Sequence, residues 1–256
     1  MAKEKQVAVI TGAASGIGLA LSKACLRRKM HVVMADISSK NLMHAATSLN
    51  DCDSDILPVV CDVTQLSEVE ALADKSMQRF QRVDLLINNA GISGELAPVW
   101  ELKLEQIHRV VDVNLFGAIH GIKVFLPLLF NQQHRSTVVN MASVYGLVSG
   151  SQVASYAISK HAVVSLSESL FFDLRRLNKP VDVAVICPSF ANTPLLSNSQ
   201  SENPSPFHQM MAGLLERSRA PEEIAEHILS ELEKKKFYIL PDKEVKHYCE
   251  QRAKAI

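Results

Sequence analysis

A tyrosine and a lysine in the second half of the chain have the types and the spacing that proton transfer needs. Tyr156 and Lys160 are four positions apart, so on a helix they lie on the same face. A phenol has a pKa of about 10 and is a poor base at neutral pH, but a neighbouring ammonium favours the phenolate and lowers that pKa. Ser143 precedes the tyrosine by thirteen residues and could bind the same substrate oxygen. The three side chains predict proton exchange with an alcohol or a ketone, although the Tyr–Lys spacing alone more often marks an exposed helix turn.

A glycine-rich turn near the N-terminus is typical of a phosphate-binding site. The sequence TGAASGIG at residues 11–18 follows a short apolar run and precedes a helical pattern. Small residues let the backbone lie close to a ligand, and the helix that follows offers free N–H groups to a pyrophosphate. Its position between strand and helix makes this motif more specific than a bare glycine triplet. The sequence therefore predicts a dinucleotide site here, the alternative being a tight turn that binds nothing.

Asp36 indicates which dinucleotide this site prefers. It lies eighteen residues after the last glycine of the turn, at the end of the second predicted strand. A carboxylate there accepts hydrogen bonds from the adenosine ribose diol and repels the 2′-phosphate of NADP. No arginine stands nearby in the sequence to neutralise that phosphate. We therefore expect NAD rather than NADP, the alternative being an aspartate that only caps the next helix.

Alternating apolar runs and helical patterns predict one α/β domain over residues 1–256, with a doubly wound, Rossmann-type parallel sheet. Seven runs are nearly continuous in Val, Ile and Leu, which is typical of strands covered by helices on both faces. The predicted strands are 6–11, 31–36, 57–62, 84–88, 136–142, 182–187 and 237–239. The predicted helices are 16–29, 38–49, 67–80, 103–130 (bent or broken midway), 154–177, 206–217, 221–235 and 243–253. Ser38 and Ser67 are the expected N-caps, the latter with Glu70 at capping-box spacing.

Composition narrows the class of protein further. The 27 Lys and Arg balance the 27 Asp and Glu, and this neutral balance is poor evidence for binding nucleic acid or an anionic membrane. No stretch reaches the roughly 18 uncharged apolar residues of a membrane span, so we predict none. Five cysteines without a CxxC pair predict mostly buried thiols in a reducing, cytoplasmic compartment. Nine scattered histidines, without ligand spacing, predict no metal site.

The motifs taken together resemble the classical short-chain dehydrogenase/reductase superfamily. The glycine turn, NNAG at 88–91, Asn114, Ser143 and YAISK at 156–160 occur in the order and spacing of that family. The resemblance covers nearly the whole chain, from Val7 to about Pro241. It implies about seven parallel strands in the order 3-2-1-4-5-6-7. It also implies reversible hydride transfer between a nicotinamide cofactor and a secondary alcohol or ketone.

The resemblance also implies a role for each candidate catalytic residue. Tyr156 would be the general acid and base, and Lys160 would bind the nicotinamide ribose and lower the pKa of the tyrosine. Ser143 would orient the reacting oxygen. Asn114 would hold a water that continues a proton relay from Lys160. The alternative for Asn114 is a polar residue satisfied inside a helix kink, and either role would break the predicted helix 103–130.

The remaining implied contacts are with the cofactor. Asp62 and Val63 would contact the adenine, and Asn89 and Ala90 the adenosine side. The full set of implied cofactor contacts is Gly12, Ser15, Gly16, Ile17, Gly18, Asp36, Asp62, Val63, Asn89, Ala90, Gly91, Tyr156, Lys160, Pro188 and Thr193.

Ser189 is the one departure from the family pattern that affects this site. The family usually has glycine after Pro188, with a threonine a few residues later, here Thr193. A serine at a position that requires positive φ would be strained. At a position without that requirement, its hydroxyl adds a polar group near the nicotinamide or the substrate.

Substrate and partners are less specified by the sequence. A lid of about residues 192–219 combines a polar loop with apolar side chains, which could cover an apolar substrate or simply pack on the body. The apolar surfaces of helices 103–130 and 154–177 predict a homodimer or homotetramer, the alternative being cover by a loop of the same chain. Two other functions remain open: an NADPH-preferring ketoreductase, and a non-catalytic NAD-binding regulatory module.

Overall fold

Seven parallel strands form the centre of the computed structural model, which describes residues 5–49, 54–196 and 205–256. The strands are β1 Val7–Thr11, β2 His31–Asp36, β3 Ile56–Val60, β4 Leu85–Asn88, β5 Ser136–Met141, β6 Val181–Ile186 and β7 Tyr238–Ile239. Their order in the sheet is β3-β2-β1-β4-β5-β6-β7. The predicted strands, the doubly wound fold and the strand order are confirmed.

Helices cover both faces of the sheet. They are α1 Gly16–Arg27, α2 Ser39–Ser48, α3 Leu66–Phe80, α4 Leu104–Val111, α5 Gly117–Phe130, α6 Ala154–Arg176, α7 Pro206–Glu216, α8 Pro221–Glu233 and α9 Glu244–Ala255. Ser38 caps α2 as expected, by accepting a hydrogen bond from the Asn41 amide at 3.4 Å. The expected cap at Ser67 is wrong: α3 begins one residue earlier, and Glu68 instead accepts the Asp62 amide at 2.8 Å.

The apolar runs of the strands divide between two cores because successive strand side chains point to opposite faces. In β1, Ala8 and Ile10 contribute to the core shared with α1, α2 and α8. Val7 and Val9 contribute to the core shared with α3 and α5. The sheet is therefore buried on both sides, which is why its strands lack an alternating polar pattern.

The predicted helix 103–130 is broken midway, as expected, by a π-helical turn at Asp112–Phe116. The Gly117 amide closes this turn on the Asp112 carbonyl. Leu104–Phe130 as a whole is long and apolar enough to pass for a membrane-spanning helix. Its fully buried side chains, Phe125 and Leu129, pack instead on the sheet of this fold.

A chain of buried polar side chains ties the central strands to α6. The Asn88 amide donates to Asn140 Oδ1 at 2.9 Å, and the Asn140 amide donates to Ser167 Oγ at 2.9 Å. Ser167 in turn donates to the Val163 carbonyl at 2.7 Å. These bonds join β4, β5 and α6, so they restrict sliding of α6 along the sheet.

The prediction of mostly buried thiols is confirmed for the cysteines that the structure describes. Cys25, Cys61 and Cys187 are buried free thiols, and Cys249 is half-buried. Burial raises the pKa of each of the three buried thiols to about 12, which makes them inert. Cys52 lies outside the described residues.

Candidate active site

The carboxyl ends of the central strands open into one cavity of about 1160 Å³. Most residues that the sequence singled out meet on its walls. They are Gly12, Ser15, Gly16, Ile17, Asp36, Asp62, Val63, Asn89, Ala90, Gly91, Ser143, Tyr156, Lys160, Pro188 and Thr193. Gly18 and Asn114 are buried and do not line the cavity. The volume exceeds that of typical small-molecule sites, so it suits a ligand as large as a dinucleotide.

The glycine turn is shaped for close approach of a ligand. Gly12 and Gly16 have positive φ, at 64° and 52°, a conformation that other residues rarely adopt. A Cβ at Gly18 would lie 2.1 Å from the Gly12 carbonyl oxygen, so only glycine fits where α1 packs on the turn. Ser15 caps α1 without a side-chain bond to the helix. The first amides of α1 therefore face the cavity in the arrangement that binds a pyrophosphate.

Asp36 connects the end of β2 to this turn. One carboxylate oxygen accepts the Ala14 amide at 3.0 Å, and the other accepts the Ser38 amide at 3.0 Å. The residue thus orders the start of α2 and also places a negative charge on the cavity wall. A carboxylate oxygen has two lone pairs, so each oxygen keeps acceptor capacity for a ribose hydroxyl.

Thr11 and Asn89 join the glycine turn to the end of β4. Thr11 Oγ1 accepts the amides of Asn89 and Ala90, both at 3.0 Å. The Asn89 side chain donates to the carbonyls of Thr11 at 2.8 Å and Gly12 at 3.2 Å. These donor groups of Asn89 therefore bind the turn itself, while Ala90 and Gly91 border the cavity. Sequence reasoning missed Thr11, because its partners become visible only when β1 and β4 are adjacent.

Asp62 orders the loop after β3 in a similar way. Its Oδ1 accepts the backbone amide of Thr64 at 2.9 Å and the Thr64 hydroxyl at 2.8 Å. Val63 packs against Gly117, where a Cβ would lie 2.7 Å from the valine Cγ2. Both Asp62 and Val63 border the cavity beside Asp36.

Ser143, Tyr156 and Lys160 come together because β5 ends and α6 begins at the same edge of the sheet. The Ser143 hydroxyl is hydrogen-bonded to the Tyr156 phenol. Lys160 Nζ donates to the Met141 carbonyl at 2.8 Å and lies 5.6 Å from the centre of the Tyr156 ring. All three side chains line the cavity.

Burial controls the ionisation of Tyr156 and Lys160. It raises the pKa of Tyr156 to about 12, against a hydrogen bond from Ser143 that lowers it. It also lowers the pKa of Lys160 to about 8. The expectation that Tyr156 has a lowered pKa is therefore wrong for this structure. Desolvation penalises the phenolate more than the hydrogen bond from Ser143 stabilises it. Desolvation also penalises the ammonium of Lys160, so the lysine loses its proton at a lower pH than usual.

Asn114 fits the alternative of a polar residue satisfied inside a helix kink. Its Oδ1 accepts the Ile92 amide at 2.8 Å, and its amide group donates to the Ile92 carbonyl at 3.0 Å and to Ser159 Oγ at 2.9 Å. The side chain thereby fixes the π turn against the loop after β4 and against α6. A relay role for Asn114 remains a prediction.

Ser189 is free of the backbone strain considered above, because it does not have a positive φ. Its amide donates to Asp242 Oδ2 at 2.8 Å, and Asp242 Oδ1 accepts from Arg219 Nη1 at 2.9 Å. The same guanidinium nitrogen donates to the Pro241 carbonyl, and the Arg219 carbonyl accepts the Asn192 amide. A nearly buried carboxylate thus holds the loop after β6 in place. No sequence motif pointed to Asp242 or Arg219.

One wall of the cavity is apolar. The Tyr145 ring lies 6.3 Å from the rings of both Tyr156 and Phe190, edge-on to each. The other apolar side chains on this wall are Leu96, Val153, Leu196, Met211 and Leu215. Two of these, Met211 and Leu215, come from α7 in the predicted lid. Residues 197–204 of that lid lie outside the described residues.

The fold and this site define a dinucleotide-dependent oxidoreductase. A doubly wound sheet presents a glycine turn and the Asp36 carboxylate on the wall of one cavity. A Ser–Tyr–Lys trio able to move protons lies at the same cavity. A Cβ at Gly12 or Gly18 would meet the protein's own backbone. This tight packing of the turn beside the cavity fits the close approach of a dinucleotide.

Comparison with known proteins agrees with this class. The family model described as short chain dehydrogenase matches residues 6–204. A CLA biosynthesis dehydrogenase/reductase of Lactiplantibacillus plantarum is 31% identical over 98% of this chain and 93% of its own length. A 1-deoxy-11-beta-hydroxypentalenate dehydrogenase of Streptomyces avermitilis is 39% identical over 75% of this chain and 71% of its own.

A solved structure extends the likeness to three dimensions. It is a short chain dehydrogenase/reductase from Burkholderia phymatum in complex with NAD, with a TM-score of 0.93 and 30% identity. The match covers 98% of this chain and 94% of that one. The protein belongs to the short-chain dehydrogenase/reductase family and is an NAD(P)-binding oxidoreductase.

The buried lysine makes stability depend on pH. Because its folded pKa of about 8 lies below the usual 10.5, the unfolded chain binds more protons between these values. The cost of burying the ammonium is fully present below pH 8 and is lost as pH rises to 10.5. We expect Lys160→Met to raise the free energy of unfolding by about 1–2 kcal/mol at pH 7, and by less at pH 9.5, in urea titrations.

Lys123→Met is the matched control for this measurement, since Lys123 is an exposed residue of α5. We expect it to change stability little and equally at both pH values. A Lys160→Met effect that does not change between pH 7 and 9.5 would contradict the assignment of a buried ammonium.

The Asp242 carboxylate holds a loop of the cavity wall in place through its bonds to the Ser189 amide and to Arg219. Asp242→Asn removes its charge and weakens its bonds to Arg219 and to the Ser189 amide. We expect a loss of about 1–3 kcal/mol in unfolding free energy. We also expect a higher KM for the substrate, because Asp242 holds the loop after β6 that borders the cavity. Asp182→Asn is the control, because its ion pair with Arg135 is on the surface and should contribute less than about 1 kcal/mol. Equal losses of unfolding free energy in the two variants would contradict the conclusion that Asp242 anchors the loop after β6.

Proposed function

We propose that the protein is an NAD-dependent dehydrogenase/reductase that acts on a secondary alcohol or ketone of mainly apolar character. The observation that carries the proposal is the presence of the Ser143–Tyr156–Lys160 trio and the glycine turn in one cavity. A protein that only binds NAD has no need of a buried proton-transfer group. The nicotinamide, when bound, supplies or accepts the hydride, and the protein supplies position and protons.

Tyr156 is the group that transfers the proton. Its pKa of about 12 keeps the phenol protonated at neutral pH, so it is ready to donate to the oxygen of a ketone as that oxygen gains charge. Ser143, already hydrogen-bonded to the phenol, can orient the same oxygen. In the oxidation direction the phenol must first lose its proton, which the buried ammonium of Lys160 favours when it is charged.

Asp36 supports the preference for NAD. Its carboxylate stands at the end of β2 with both oxygens on backbone amides, and no cation forms an ion pair with it among the described residues. A 2′-phosphate would face this negative charge without compensation. The relative from Burkholderia phymatum was solved with NAD, which supports the same preference.

The apolar wall supports an apolar substrate. Tyr145, Phe190, Met211 and Leu215 offer the cavity rings and alkyl groups. Residues 192–219 would act as the substrate lid within a single domain of residues 1–256. Binding a largely apolar skeleton against this wall removes its surface from water, which is the main favourable contribution available here.

We also propose that the enzyme is cytoplasmic and forms a homo-oligomer. Phe116 at the end of the π turn is 45% exposed, and Ile158 and Phe172 on α6 are 56% and 66% exposed. Apolar side chains this exposed on neighbouring helices favour contact with a second copy of the chain. A homodimer or homotetramer would cover them.

The proposed reaction is tested with a panel of cyclic, aliphatic, steroid and 3-hydroxyacyl secondary alcohols, followed by NADH absorbance. We expect turnover with NAD, and a fall in kcat of about 10²- to 10⁴-fold in Tyr156→Phe. Tyr238→Phe is the control, because Tyr238 lies on β7, outside the cavity, and bonds to Glu168. Full activity in Tyr156→Phe would contradict the catalytic assignment. Tight NAD binding without any turnover would favour a regulatory NAD-binding module instead.

The cofactor preference is tested at Asp36. Asp36→Asn removes the charge that repels a 2′-phosphate, so we expect the NAD/NADP ratio of kcat/KM to fall by about tenfold or more. Asp112→Asn removes a different carboxylate of the same cavity and should leave this ratio unchanged. Equal or better use of NADPH by the unmodified protein would instead support the NADPH-preferring ketoreductase.

A further inference from the structure

Ser189 carries a hydroxyl for which the described residues offer no partner. Its Oγ is buried and makes no hydrogen bond to any described residue, although the residue lines the cavity. Other serines of the cavity differ: Ser93 donates to the carbonyls of Gly94 and Leu195, and Ser143 bonds to Tyr156. Buried hydroxyls in native structures normally have a partner, so an exception needs an explanation.

The hydroxyl has no structural task in its own loop. The Ser189 amide is held by Asp242 at 2.8 Å, and the Pro188 carbonyl accepts the Val144 amide at 2.7 Å. Asp242 is in turn held by Arg219 at 2.9 Å. These bonds fix the backbone of the loop without using the serine side chain. An alanine or glycine would satisfy the same backbone arrangement.

The loop after β6 passes two different parts of the cavity along its length. At Thr193 it faces the glycine turn, since a Cβ at Gly16 would lie 3.2 Å from the Thr193 Cβ. At Phe190 it faces the aromatic wall, through the contact with Tyr145 beside Tyr156. Ser189 lies between Phe190 and Pro188, and the Pro188 carbonyl accepts the amide of Val144, next to Ser143. Ser189 therefore belongs to the part of the loop beside Ser143 and Tyr156 rather than to the part at the glycine turn.

We propose that Ser189 determines substrate specificity by hydrogen-bonding a second oxygen of the substrate, besides the one that reacts. The substrate class is then an apolar ketone or secondary alcohol that carries a further hydroxyl or carbonyl group near the reacting carbon. This inference rests on the proposed function. Because the Oγ is buried in the structure, the proposal requires a change between the staggered χ1 rotamers of the serine to bring the hydroxyl to the substrate.

The test compares two pairs of ketones that differ by one oxygen: cyclohexanone with cyclohexane-1,2-dione, and acetophenone with 1-phenylpropane-1,2-dione. Reduction by NADH is followed for the unmodified protein and for Ser189→Ala. We expect the ratio of kcat/KM, diketone over ketone, to fall by about tenfold in Ser189→Ala. Because the ratio is compared between proteins, the greater intrinsic reactivity of diketones cancels. We expect the Kd of NADH, from its fluorescence, to stay the same.

Ser93→Ala is the matched control, since it removes a cavity hydroxyl that is already bonded to backbone carbonyls. Its diketone/ketone ratio should equal that of the unmodified protein. An unchanged ratio in Ser189→Ala overturns the inference but leaves the proposed function intact. A weaker Kd for NADH with an unchanged ratio also overturns it, because the hydroxyl then contacts the cofactor. If the unmodified protein reduces none of the four compounds with NADH, the inference is overturned. If it also oxidises no member of the alcohol panel with NAD, the proposed function is overturned with it.

Discussion

The backbone of the glycine turn lies closer to α1 and to the end of β4 than any side chain larger than a hydrogen would allow. A Cβ at Gly18 would meet the Gly12 carbonyl at 2.1 Å, and a Cβ at Gly12 would meet the Ala90 Cα at 2.9 Å. Thr11 and Asn89 then bond the two segments together. The floor of the cavity is therefore set by backbone contacts, and the positions of Asp36 and of the loop at Ala90 follow from it.

The chemistry depends on a second constraint, which is burial. Lys160 is 3% exposed, and its ammonium has one backbone carbonyl as a recorded hydrogen-bond partner in the protein. Removing it from water lowers its pKa, because burial penalises the charged form, and the folded state carries the free-energy cost of that burial. The same removal keeps Tyr156 protonated. Stability and proton transfer are thus opposed at this site, as is common where ionisable groups are placed for catalysis.

Much of this arrangement was predictable because its signals are local. Continuous Val, Ile and Leu runs defined the strands, and the positions of the glycine turn, Asp36, Ser143 and the Tyr–Lys pair follow from the ends of those strands. The partners of Ser189 were not predictable in this way, because Asp242 is 53 residues away and a single aspartate after a strand has no signature. The pKa of Tyr156 was mispredicted because a helical spacing describes its charged neighbour but not the depth of its burial. The predicted cap at Ser67 was wrong because α3 already begins at Leu66, with Gln65 at the N-cap position.

The dependence of the Ser189 loop on Asp242 also bears on how the protein matures. During synthesis β1 to β6 can pair as they emerge, since each finds its neighbour among strands already made. The loop beside the catalytic tyrosine remains without its anchor until the chain has been made past β7 and Asp242 can meet Arg219. The backbone of this loop is therefore one of the last parts of the cavity wall that the growing polypeptide can fix in place.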